Sequence, residues 1–363
     1  MKAIPRLPIA TALAAMLCGG AAQAQVTVYG IVDAAVSRTT NADAAGNAVT
    51  KVSALSGSVP SRIGFRGSED LGGGLSAVFA LEGGFNPDSG VSGQGGRLFG
   101  RQAWVGLKGN WGTLQVGRIV NMTFLATAKS DVLGPNLFSI SSIDLYLPNA
   151  RSDNAVGYLG SFGGFTVGAT YSLGRDASAA GGPSATNCGG EVAGDSKACR
   201  QVTALLGYET AAYGVNASYD KLYGNAGAAG GLTSSERFDR RVTVNGYAML
   251  GATKIGAGIV DRKLDAVTGV SDSDLVYLGI SHPLAAGLTL DAQVARRDVK
   301  RSADDTKMAV ARLTYAFSKR TAVYGAVGRM DNDGLAAVGL DLGGTVAPGG
   351  AQNGVMAGLR HAF

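Results

Sequence analysis

Val26-Thr27-Val28-Tyr29-Gly30-Ile31-Val32-Asp33 changes character every second residue, with valines recurring at 26, 28 and 32 and more polar or smaller side chains between them. A period of two places alternate side chains on opposite faces of a strand. Working outward, segments of about ten residues with the same alternation recur at 26–37, 51–68, 74–85, 97–109, 112–119, 152–160, 164–173, 201–209, 213–223, 237–249, 253–263, 272–282, 287–299, 305–317, 320–331 and 353–363. Sixteen strands are therefore expected. Their connections alternate between short turns, such as Ser161-Phe162-Gly163, Thr210-Ala211-Ala212 and Ser318-Lys319, and long polar stretches at 38–50, 86–96, 174–200, 224–236 and 332–352. Short turns at one end and long loops at the other are the pattern of a transmembrane β-barrel of the bacterial outer membrane. A soluble sandwich has no reason to sort its loops by length.

Composition agrees with a strand-built membrane protein. Of 363 residues, 46% are hydrophobic, only 16% are charged and 56 are glycine, and the mean hydropathy is +0.14. Soluble domains carry roughly 25% charged residues, and disordered chains lack the Val, Ile, Tyr and Phe that recur here. After residue 24 no stretch reaches the 18 or so apolar residues of a membrane helix. In hydrocarbon every backbone N–H and C=O must be paired, so a closed all-β sheet without edges is the structure left. At sixteen strands its interior is an aqueous channel that side chains do not fill.

Residues 1–24 read as a cleaved leader: Lys2 and Arg6 supply a positive start, Leu7 to Leu17 an apolar core, and Ala22-Gln23-Ala24 a small-x-small cleavage site. Leu17 before Cys18 is too large for lipoprotein processing. Removing Lys2 and Arg6 with the leader lowers the formal charge from +5 to +3, too little to point to nucleic acid. Residues 25–363 form the barrel. Cys188 and Cys199 sit in a polar stretch without a nearby histidine, which favours a disulfide in an exposed loop over a metal site. No metal or other cofactor is expected.

The run Ser61-Arg62-Ile63-Gly64-Phe65-Arg66-Gly67-Ser68-Glu69-Asp70-Leu71-Gly72-Gly73-Gly74-Leu75, then Leu81-Glu82-Gly83-Gly84-Phe85, Phe99-Gly100-Arg101-Gln102-Ala103-Trp104-Val105-Gly106-Leu107, Gly112-Thr113-Leu114-Gln115-Val116-Gly117-Arg118 and Arg151-Ser152-Asp153-Asn154-Ala155-Val156-Gly157-Tyr158, resembles the Gram-negative general porins of the neisserial and betaproteobacterial type. The mature start and the end Gly358-Leu359-Arg360-His361-Ala362-Phe363 fit as well. The resemblance implies a passive channel for ions and small hydrophilic solutes, residence in the outer membrane beside lipid and lipopolysaccharide, a homotrimer, and a terminal Phe363 read by the assembly machinery. It also implies that the third long loop, at about 120–150, folds inward as the constriction. Arg62, Arg101 and Arg151 match the family's wall arginines, and Arg66 shares a strand face with Arg62.

Parity supports lumenal placement independently. A charge on the lipid face costs about 2–4 kcal/mol near the bilayer midplane. Ile63 and Phe65 therefore face lipid and leave Arg62, Gly64 and Arg66 for water; Glu82 and Asp33 turn inward by the same reasoning. Arg118 shares parity with Leu114 and Val116 and is read as a rim residue. Within 120–150 the only acids are Asp131 and Asp144, so the arginines outnumber the loop acids facing them and anions are favoured. A substrate-specific channel of the same fold is the alternative, with Phe124, Phe138 and Tyr146 as a sugar slide or as loop anchors. An enzyme is disfavoured because His282 and His361 are the only histidines and neither has a convincing partner in sequence.

Overall fold

The computed structural model describes residues 25–54, 56–176 and 186–363; the leader lies outside them. Among the described residues seventeen strands run in chain order as β1 (Gln25–Thr39), β2 (Val49–Val52), β3 (Arg62–Gly72), β4 (Leu75–Gly84), β5 (Gln102–Gly109), β6 (Gly112–Val120), β7 (Arg151–Phe162), β8 (Phe165–Ser172) and β9 (Gln201–Glu209). They continue as β10 (Tyr213–Tyr223), β11 (Phe238–Leu250), β12 (Thr253–Ala266), β13 (Gly269–Ala285), β14 (Leu288–Val299), β15 (Thr306–Ala316), β16 (Thr321–Asn332) and β17 (Ala351–Ala362). All but β2 are barrel staves. Each pairs antiparallel with its sequence neighbour, and β1 closes the ring by pairing with β17 on one side and β3 on the other. Sixteen staves match the sixteen alternating segments. The short β2 lies along the upper part of β1.

Alternation is realised as two surfaces. Val26, Val28, Val105, Val116, Leu278, Val294 and Val355 stand exposed on the outside, while their neighbours point inward. An apolar surface of that extent is tolerated in lipid and not in water. Aromatic rings gather at the short-turn end: Trp111 stacks with Tyr158, Phe165 and Tyr213 flank Tyr208, and Tyr315 meets Phe317 edge-on. Such girdles mark a membrane–water interface. Phe363 belongs to this belt, exchanging backbone hydrogen bonds with Gly30 across the seam while its ring lies over Gly30, where a Cβ would collide.

Two features at the long-loop end differ from expectation. The β12–β13 link is two residues, because both strands extend past the segments read at 253–263 and 272–282. Segment 51–68 is not one strand. The chain leaves the sheet after Val52 and re-enters at Arg62.

Candidate functional site

The loop at 121–150 begins with Asn121, whose side chain accepts from Thr123 N and Phe124 N and starts helix α1 (Met122–Thr127). Met122 and Ala126 pack on Leu205 of β9. The chain then crosses to the far wall. Ser130 Oγ lies 2.6 Å from Tyr277 Oη, Gln293 Nε2 donates to Asp131 at 2.9 Å, and Arg312 Nη1 donates to Leu133 O at 3.1 Å. Leu133, Leu137, Phe138, Ile140 and Ile143 join one apolar cluster with inward-facing Leu275, Tyr277, Val310, Tyr324 and Met356. Helix α2 (Ile140–Ile143), capped by Ser139 Oγ, carries two of these side chains. The loop is thus packed inside the barrel.

Its acids do not face the wall arginines as expected. Arg241 Nε and Nη2 donate to both oxygens of Asp144, at 2.8 and 3.0 Å, while Nη1 of the same guanidinium reaches Asp239 at 3.0 Å. Asp144 is only 8% exposed. Burial works to raise its carboxyl, but the Arg241 charge, then that of Arg262, and the Arg241 hydrogen bonds outweigh burial and hold it at about 2. Asp131 is engaged by Gln293 on β14. Both acids are spent on anchoring the loop. Arg241, Asp239 and Arg312 had escaped notice in the sequence, although Asp239, Arg241, Thr243 and Asn245 alternate with Val242 and Val244 and so already mark a polar inner face.

The cluster on β3–β5 is separate. Glu82 accepts from Tyr29 Oη at 2.9 Å and from Arg101 Nε at 2.5 Å, and Arg62 Nε stands 3.7 Å away. Gly64 has no side chain to displace the Tyr29 ring, which lies over it. The Arg66 guanidinium sits 5.4 Å from the centre of that ring. Arg62, Arg66 and Arg101 against one Glu82 leave this wall positive. Arg151 departs from expectation: it is 2% exposed, donates to Arg101 O at 2.8 Å and Pro148 O at 3.0 Å, and therefore braces the loop's end rather than facing water. Asp33 points inward but is fully covered by the segment between β2 and β3. Arg118 keeps its lipid-side parity and pairs with Asp153, its Nε donating to Gly100 O.

Phe138 is fully buried and acts as a loop anchor. Tyr146 accepts from Asn121 Nδ2 at 2.6 Å and Gln201 Nε2 at 2.7 Å and donates to Asp220, which likewise holds the loop. Cys188 and Cys199 form a disulfide, with Cα atoms 5.2 Å apart. The bond is not exposed, as the polar surroundings had suggested; it is buried with Leu222, Ala228 and Leu232 beneath the loops. Among the described residues no group of three or more His, Cys, Asp or Glu side chains is placed to hold a metal ion.

Residues 10–335 match the family model of the Gram-negative porins. The chain belongs to that family. It is 31% identical to outer membrane porin protein 32 of Delftia acidovorans, with 97% of this chain and 98% of that one aligned. With a porin of Bordetella pertussis it shares 32% identity over 86% of this chain and 91% of the relative. The anion-selective porin of Comamonas acidovorans superposes with a TM-score of 0.77 at 26% identity, covering 94% of this chain and all of that one. This porin is an outer-membrane general diffusion channel, and its sixteen-stave barrel supplies the aqueous path.

Proposed function

We propose that this porin passes anions in preference to cations, with Arg62 and Arg66 as the water-facing charges that select and Arg101 held against Glu82 beside them. The observation that carries this reading is the withdrawal of Asp131 and Asp144 into loop anchoring, which leaves three guanidinium groups facing one carboxylate, Glu82. A fixed charge excess at a narrow water-filled passage concentrates counter-ions there. Arg151 and Asp33 shape the passage from beneath its surface. The similarity to an anion-selective porin supports the same direction.

The leader 1–24 is removed on export, leaving 25–363 as the barrel; the small-x-small run Ala22-Gln23-Ala24 supports this boundary. The apolar outer face of β1 and β3–β5, which exposes Val26, Val28, Val32, Ile63, Val105 and Leu107, supports assembly as a homotrimer through that side. Phe363, at the closing seam, serves as the assembly signal. The surroundings of the two histidines support a channel over a catalyst: His282 and His361 engage the hydroxyls of Thr253 and Thr321, which gives neither the orienting acid a catalytic histidine needs. A planar-bilayer recording across a salt gradient tests the main point. The zero-current potential takes the sign of anion preference; cation preference overturns the reading, and a folded protein that passes no current overturns the channel itself.

A further inference from the structure

The segment between β2 and β3 has no role in the reading above, yet it is one of the most enclosed parts of the lumen. On β1, pairing with β3 ends at Ile31–Arg62 and pairing with β2 begins only at Val36–Val52. Two serines bridge the gap. Ser61 Oγ accepts from Asp33 N at 3.0 Å and donates to Asp33 O, and Ser53 Oγ accepts from Ala35 N at 3.0 Å. With the edge of β1 satisfied by these two residues, the chain between them turns into the barrel.

There it meets Asp33, whose carboxylate is fully buried. Oδ2 accepts from Ser58 N and Val59 N, each at 3.0 Å, and from Ser58 Oγ at 2.5 Å, while Tyr324 Oη, reaching across β17 from β16, donates to Oδ1. Four donors on one buried carboxylate make a specific hold, since charge-assisted hydrogen bonds are the strong kind. Gly57 lies so close to Asp33 and Tyr324 that a Cβ would overlap both. The segment also touches the charged wall: Pro60 O accepts from Arg62 Nη1 at 3.0 Å, and Ser58 Oγ accepts from Arg360 Nη1 at 3.2 Å. Its height follows from register, because Asp33 pairs with Arg360, two residues from the Ile31–Arg62 pair. Gly57 O accepts from Leu137 N at 3.0 Å, so the inward loop at 121–150 rests on it.

We propose that residues 56–60 form a second jaw of the constriction, with Asp33 as the positioning residue that pins it in the lumen and, through Gly57, steadies the larger loop. Asp33 acts through shape here and not as an ion-selecting charge. The proposal rests on the diffusion-channel function and adds a determinant of its bore. Asp33→Asn turns an all-acceptor group into one whose amide N–H bonds oppose the donors around it, releasing the jaw. Gly57→Val expels the jaw with no change of charge, and Tyr324→Phe removes one of the four donors while leaving the barrel ladder intact.

Unitary conductance and liposome swelling with neutral sugars of increasing size are measured on each variant that shows the heat-modifiable mobility of a folded barrel. Higher conductance and passage of larger sugars in Asp33→Asn and Gly57→Val, with the sign of the zero-current potential unchanged, is the expected result. A shifted zero-current potential in Asp33→Asn at unchanged conductance would make Asp33 an ordinary lumenal charge and overturn the proposal, as would unchanged conductance and sugar cutoff in the variants that fold. If the first two fail to fold, Tyr324→Phe decides: a wider bore supports the jaw, and an unaltered one removes it. Absence of current in the unsubstituted protein is a separate failure, that of the channel function itself.

Discussion

Two parts of the inner wall carry the same arginine–carboxylate chemistry and use it for opposite ends. On β11–β15 the pairs Arg241–Asp144 and Arg312–Asp291 are almost wholly enclosed under the inward loop. On β3–β5 Arg101 is enclosed against Glu82 in the same way, but Arg62 remains 23% exposed in its side chain, and Arg66 rests on a tyrosine ring with part of its surface open. Exposure separates structural from selective arginines. A buried pair is barely favourable against an apolar replacement, but removing one member strands a charge and costs about 3–5 kcal/mol. A water-facing pair contributes about 0–1 kcal/mol to stability and keeps its field for the solute.

The largest expected effect follows from breaking the enclosed side. Asp144→Ala leaves Arg241 with Asp239 alone and frees the carboxyl end of the loop. Thermal unfolding of the purified barrel should move to clearly lower temperature, and single-channel traces should become noisy as the loop detaches. A quiet channel of unaltered stability would show that Arg241 and Asp144 are not the anchor.

The mirror experiment replaces Arg62 and Arg66, the two water-facing arginines of that wall, with glutamine. Stability should change little, whereas the zero-current potential should shift toward cations. That shift should shrink at 1 M salt, where the Debye length is about 3 Å. Replacing Arg200, which is occupied with Ser196 O at the surface, should have far less influence. If Arg200 moves the potential and the double replacement does not, the loops set selectivity and the contrast between the two walls fails.

A smaller effect concerns pH. Because the Asp144 carboxyl sits at about 2 in the folded protein, against 3.8 for the unperturbed group, its ionisation stabilises the folded state fully above pH 3.8. That contribution fades as pH falls through about 2. Acid titration of loop mobility, followed by channel noise, should therefore show no anchor release between pH 7 and 4. Release near pH 6 would assign the latch to another group.

Much of this was legible in the sequence because a period of two has physical consequences at every residue. The sixteen staves, the lipid-facing valines and the inward turn of Arg62, Arg66 and Glu82 all follow from parity and the cost of charge in lipid. Partner choice across the lumen was not legible. Nothing local in 120–150 says that Asp144 will meet Arg241, 97 residues away. Nor did 51–68 reveal its break: Val52 and Arg62 fit an alternating strand, and the departure between them depends on Asp33 of the preceding stave together with Tyr324, 266 residues from Ser58. Arg151 was misplaced for the same reason, since the loop that covers it comes from outside its own strand.

The smallest effect belongs to the Cys188–Cys199 bond. Closing a loop of about 15 residues is worth about 3 kcal/mol in the chain-entropy account, and here only 11 positions separate the cysteines. That gain applies to the loop, whose small cluster of Leu222, Ala228 and Leu232 lies outside the main apolar core at the far wall. Reduction should therefore leave the barrel's thermal transition nearly where it was, while proteolysis within 186–200 becomes faster. Burial of both sulfurs adds a kinetic expectation: alkylation in native protein should require reductant and should remain slow even then, until denaturant opens the cluster. Rapid alkylation of native protein without reductant would mean that the two thiols are free, and the loop would then hold by packing alone.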